Sequence, residues 1–158
     1  ISLDDRLWVI PARRMKAGRE HRVPLTDRAV AILEHAALLR RPADGDDSEA
    51  LVFPSTKAGR PLSDMTLTAC MRRLGAGEYT AHGFRSSFRD WAGDRTAFPR
   101  EVAEAALAHV VGGVEGAYRR GDALEKRRKL MEQWAAYLDK PAGGNVVQLR
   151  KQEAAASA

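Results

Sequence analysis

The chain has 158 residues, enough for about one domain that buries roughly two-thirds of its unfolded surface. Its residues are 44% hydrophobic and 30% charged, with a formal charge of +5 and a sequence pI near 9.7. That balance fits an ordinary globular protein and favours a polyanionic partner without identifying one. A single cysteine, Cys70, excludes an internal disulfide, and no apolar run reaches the 18 residues of a membrane span. The first residues, Ile1-Ser2-Leu3-Asp4-Asp5, lack a methionine and read as a cut from something longer.

Arg6 to Pro11 reads as a short strand, rich in β-branched and aromatic residues and closed by a proline. A basic loop with Gly18 follows, and Arg22-Val23-Pro24-Leu25 returns as a second strand, so Lys16 lies near the tip of a β-hairpin. Thr26 is placed to cap a helix running to about Arg40, with Val30, Leu33, Ala37 and Leu38 as its apolar stripe. Leu51-Val52-Phe53-Pro54 reads as a brief buried run. Ser63 then caps a helix to about Leu74, stopped by Gly75.

Thr80 opens the next helix, which carries His82, Arg85, Phe88 and Trp91, and Pro99 begins another that ends near His109. Three glycines between Val110 and Gly116 break the chain before Tyr118. Asp122 caps an amphipathic helix with Leu124, Met131, Trp134 and Leu138 on one face, and Pro141-Ala142-Gly143-Gly144 leads into a tail ending at Ala158. The expected fold class is mainly α with a small antiparallel β-sheet (α+β).

The residues that carry chemistry come in a fixed order. Ala81-His82-Gly83-Phe84-Arg85 is a His-x-x-Arg, Leu107-Ala108-His109 lies further on, and Tyr118 follows nine residues after His109. Transfer of a phosphodiester to a side chain needs a nucleophile, charge neutralisation at the phosphate and a proton donor for the leaving oxygen. A tyrosine hydroxyl serves as nucleophile if it is helped to lose its proton, since its ordinary pKa is about 10. An arginine fork fits the phosphate, and histidine donates to an oxygen or shuttles a proton near neutrality.

Alone, each residue has a plainer reading: His82 bonding a backbone carbonyl, Arg85 and Lys16 as solvated charges, His109 at a helix end, Tyr118 as a packed aromatic. The ordered set resembles the catalytic domain of the tyrosine recombinases, the phage integrase family, over roughly Leu7 to Lys140. The wording around His82, Arg85 and Tyr118 is closest to integrases of prophages and genomic islands. The resemblance implies that Arg85 is the family's second arginine, His82 and His109 its two histidines, and Tyr118 the nucleophile of a 3′-phosphotyrosyl link to DNA. Lys16, in a Lys-x-Gly hairpin before Arg22-Val23-Pro24-Leu25, resembles the family's lysine hairpin. It further implies a catalytic domain over 1–140 with a flexible tail over 141–158, double-stranded DNA attachment sites as partners, a homo-tetramer on DNA, a directionality factor, and action in the bacterial cytoplasm at the nucleoid.

One element departs from the family. Its first arginine lies upstream of the hairpin near a Thr-Gly-x-Arg-x-x-Glu pattern, which Ile1 to Arg14 lacks; Arg6, Arg13 and Arg14 have no such context. The expectation is that this arginine is outside the chain and that the isolated piece is inactive. Two alternatives stay open: a type IB topoisomerase-like enzyme that nicks and reseals DNA, and a non-catalytic DNA-binding relative. No cofactor or metal is expected, since the four histidines lack the i, i+4 spacing of a helical zinc site. Two basic clusters, Arg13 to Arg28 and Arg119 to Lys129, are expected either as solvated faces or as contacts to the DNA backbone. The small apolar patch Val146 to Leu149 is expected to dock on a neighbouring protomer.

Overall fold

The computed structural model describes residues 1–39, 51–57, 60–109 and 123–140. Tyr118, the segment around it and the tail from 141 onward lie outside the described residues. Within them the protein is α+β: five helices and one two-stranded antiparallel sheet. No described helix is long and apolar enough to cross a membrane.

The hairpin forms as its sequence requires. Strand β1 (Leu7–Ile10) pairs with β2 (His21–Pro24) in the register Leu7 to Pro24 and Ile10 to His21. Between them the chain makes a short 3-10 turn, Ala12–Arg14, and a tight turn in which Gly18 takes a φ of 61° that a side chain would resist. Pro24 sits at the last position of β2, where the sheet loses little from its missing N–H.

Helix α1 (Asp27–Ala37) starts where Thr26 was expected to cap it: the Thr26 hydroxyl accepts from the Ala29 N–H at 3.3 Å. Its inward face is shifted from the expected stripe. Ala36 is buried beside half-buried Val30 and Leu33, whereas Ala37 and Leu38 face outward. The run Leu51 to Pro54 is not buried as expected; Leu51 and Phe53 are exposed, and Pro54 forms an isolated bridge with Pro61. Helix α2 (Thr66–Arg73) begins after Met65 rather than at a Ser63 cap; the Ser63 side chain meets the Thr66 hydroxyl instead. Gly75 does end it, at φ 72°, with the Gly75 and Ala76 N–H groups closing onto the Arg72 and Met71 carbonyls.

Helices α3 (Gly83–Arg95), α4 (Arg100–Ala106) and α5 (Leu124–Leu138) build the core. Phe88, Trp91 and Ala92 from α3, Val102 and Ala103 from α4, and Leu130 from α5 are buried together, with Met131 and Trp134 against them. Trp134 meets Phe88 edge-on at 5.6 Å and lies 5.0 Å from Trp91, geometries favoured by the ring quadrupoles. The inward stripe of α5 is Arg127, Leu130, Met131 and Trp134, while Leu138 is exposed. Arg127, expected in a solvated or DNA-facing cluster, is 1% exposed, and its Nη1 donates to the Arg22 carbonyl at 2.5 Å. That bond ties α5 to β2, and so the hairpin to the helical core.

Candidate active site

The site is assembled by two helices whose relative placement the aromatic core fixes. α3 brings His82, Arg85 and Arg89. His82 occupies the position just before the helix, and its carbonyl accepts the Arg85 N–H at 3.0 Å. The Thr80 hydroxyl, expected at this helix start, accepts from the Gly83 N–H at 3.0 Å and so fixes the entry turn. The spacing of three residues puts His82 and Arg85 on one side of that turn, both exposed.

The end of α4 brings His109. After Ala106 the chain turns back through Ala108, a non-glycine residue held at φ 57°. The Ala108 N–H donates to the Ala105 carbonyl at 3.1 Å and the His109 N–H to the Glu104 carbonyl at 2.9 Å. These are the paired bonds of a Schellman C-cap, here carried by alanine where glycine is usual. Leu-Ala-His is therefore a helix stop that presents an imidazole, and its left-handed residue costs about 1 kcal/mol that the surrounding bonds offset.

The turn aims His109 at Arg85. Arg85 Nη2 lies 2.8 Å from His109 Nε2 and donates to the Leu107 carbonyl at 2.7 Å. A guanidinium has only protons to give, so His109 Nε2 accepts and the ring proton sits on Nδ1. Nδ1 in turn lies 2.6 Å from Glu104 Oε2. The other oxygen of Glu104 accepts from Arg89 Nε at 2.7 Å and from Arg100 Nε at 3.4 Å. Those partners hold the Glu104 carboxyl at about 2, well below its usual range: chiefly the hydrogen bond from His109, then that from Arg89, against the opposing effect of burial.

Of the five residues expected to do chemistry, the structure joins Arg85 and His109 directly and sets His82 one turn from Arg85. Lys16 stands exposed in the hairpin turn and is no part of this hydrogen-bonded cluster. Tyr118 lies outside the described residues. Glu104, with Arg89 and Arg100, was not singled out from the sequence. The available signal was an i, i+4 Arg100–Glu104 pair ahead of Leu-Ala-His, which alone reads as surface helix chemistry. Among the described residues no group of three or more His, Cys, Asp and Glu is gathered to hold a metal ion.

Comparison with known proteins decides the family. The profile of the phage integrase family matches residues 1–121. The chain belongs to the phage integrase family. Among its relatives, prophage integrase IntA of Escherichia coli is 41% identical over 89% of this chain and 33% of its own length. Prophage integrase IntZ of the same organism is 32% identical, over 92% of this chain and 35% of the relative. The integrase of Shigella phage Sf6 is 28% identical, over 88% and 35% respectively. This integrase-family chain thus spans about a third of the length of the curated relatives it matches. No solved structure gives a significant match.

Proposed function

We propose that the protein acts in site-specific DNA recombination, the integration and excision of a mobile element, through a 3′-phosphotyrosyl intermediate. The observation that carries this reading is the direct bond between Arg85 and His109, residues 24 apart in sequence. Two helices and a strained C-cap converge to place a permanent cation and an imidazole side by side, as an anionic phosphate requires. Family membership and relatives named as prophage integrases support it.

In this mechanism the Tyr118 oxygen attacks the scissile phosphorus. The bond from phosphorus to tyrosine forms, the bond to the 5′ oxygen breaks, and the DNA is left joined to the enzyme through its 3′ phosphate. Arg85 and His109 neutralise the phosphate oxygens, His82 takes up the tyrosine proton, and Lys16 gives a proton to the departing 5′ oxygen. One phosphodiester replaces another, so the bond energy is kept for religation and no ATP is consumed. The catalytic domain spans 1–140. The protein works in the bacterial cytoplasm as a homo-tetramer on paired double-stranded attachment sites, assisted by a directionality factor, with 141–158 as its tail.

The test is a plasmid carrying both attachment sites from the ends of the encoding element, incubated with the intact protein. Recombinant product that depends on both sites is expected. Relaxation of supercoiled plasmid without paired sites, and with no recombinants, would instead establish simple nicking and resealing.

A further inference from the structure

We propose that Glu104 is a positioning residue of this site: it fixes the tautomer and orientation of the His109 ring and thereby holds Nε2 toward Arg85 and the phosphate. This assignment rests on the strand-transfer reading for its catalytic consequence, but its geometric content stands alone.

Glu104 grips His109 at two points, through its backbone carbonyl at 2.9 Å from the His109 N–H and through Oε2 at 2.6 Å from Nδ1. Its other oxygen is occupied by Arg89, whose side chain is anchored on α3 four residues after Arg85. The carboxylate therefore bridges the two helices that carry the phosphate-binding pair. At 15% side-chain exposure it is too enclosed to exchange these partners for water at little cost.

The bond pattern leaves one consistent arrangement. A proton on Nε2 instead would set two donors face to face across the 2.8 Å contact with Arg85, and two acceptors face to face at Glu104. With Nδ1–H held by the carboxylate, Nε2 is the ring atom turned to Arg85. Once a phosphate oxygen takes the place of the Arg85 contact, a proton gained at Nε2 gives an imidazolium that donates to that oxygen and that Glu104 counterbalances. The logic parallels the acid–imidazole pairing of hydrolases, where the carboxylate orients the ring and does not itself react.

Glu104→Gln tests this because glutamine keeps the shape and loses one acceptor. Its single carbonyl oxygen can serve Arg89 or Nδ1–H, not both. If the oxygen stays on Arg89, the amide donates to Nδ1 and drives the ring proton to Nε2. In 15N-labelled intact protein at about pH 8, above the ordinary histidine range, ring-nitrogen NMR should show wild-type His109 protonated at Nδ1. The variant should show transfer toward Nε2, with His109→Gln used to assign the signals. A wild-type ring protonated at Nε2 would overturn the assignment, as would a variant that keeps Nδ1–H while its side-chain oxygen remains bonded to Arg89.

On DNA, the variant should form covalent adduct on the order of 10- to 100-fold more slowly, the range lost when a partner that orients a functional histidine is removed, with DNA affinity little changed. An unchanged adduct rate would overturn the positioning role. Adding Arg89→Met frees the glutamine oxygen for Nδ1–H, so the double variant should recover at least part of the lost rate. A merely structural Glu104 predicts the double variant to be worse than either single one. If wild-type protein binds the DNA and forms no adduct, the strand-transfer reading fails, and the tautomer measurement still decides the Glu104 assignment.

Discussion

Replacing Glu104 with glutamine also makes a prediction about stability that needs no DNA. The carboxyl titrates at about 2 in the folded protein against an ordinary value of 4.5. A depressed carboxylate contributes stability that is complete above its unfolded pKa and is lost as pH falls through the folded one. At about 1.4 kcal/mol per unit, the contribution is at most about 3 kcal/mol above pH 5 and falls by about 2 kcal/mol by pH 3. The glutamine variant cannot titrate at this position. The stability gap between wild type and Glu104→Gln should therefore be widest near pH 5 and narrow steadily toward pH 3. Urea unfolding of both proteins at half-unit steps measures it, because the other carboxyls largely cancel in the difference. A gap that stays constant over that window would refute the reasoning, since it would mean that the ionised carboxylate gains nothing from His109 and Arg89.

Other expectations follow from the same geometry. Leu130 is fully buried among Phe88, Trp91 and Val102, so Leu130→Ala should cost about 2–5 kcal/mol in urea unfolding; a loss under 1 kcal/mol would contradict the core described above. Ala108→Gly relieves a left-handed backbone and should be neutral or raise stability by up to about 1 kcal/mol, whereas Ala108→Val should lower it, both read as shifts in Tm. Lys16→Ala should slow adduct formation on an ordinary 5′ oxygen by on the order of 100-fold and be largely corrected by a 5′-thio leaving group, which departs without a proton. Equal slowing on both substrates would remove Lys16 from the leaving-group role.

Much of the frame was legible because it is local. The hairpin follows from strand-forming residues around a glycine turn, the Thr26 cap from a hydroxyl three residues before its partner N–H, and the Gly75 stop from a backbone angle that glycine adopts without strain. What escaped depends on the third dimension. Ser63 had the chemistry of a cap, but the chain begins its helix three residues beyond it, after Met65. Arg127 reads as one of several cations in a basic helix, and only the placement of β2 turns it inward to the Arg22 carbonyl. Leu138 has the apolar side chain of a core residue yet is exposed at the end of its helix, while Leu130 takes the central place.

The site divides in the same way. His82, Arg85 and His109 were found through an ordered pattern, and the contact between Arg85 and His109 gives that pattern a physical basis. Glu104 was invisible because its meaning requires Arg89 from another helix and an imidazole returned by a left-handed alanine. In a sequence, a glutamate five residues before a histidine is unremarkable; across a helix end it is within reach of both the histidine's N–H and its ring.

The most direct measurement of the central claim is trapping on a nicked suicide substrate drawn from the element's own ends, with wild-type and Tyr118→Phe protein compared on denaturing gels. Wild type should give a covalent protein–DNA band through the 3′ phosphate and the variant none, with DNA binding retained by both. A band that persists in Tyr118→Phe, or wild-type protein that binds the substrate and forms no adduct, would contradict that claim.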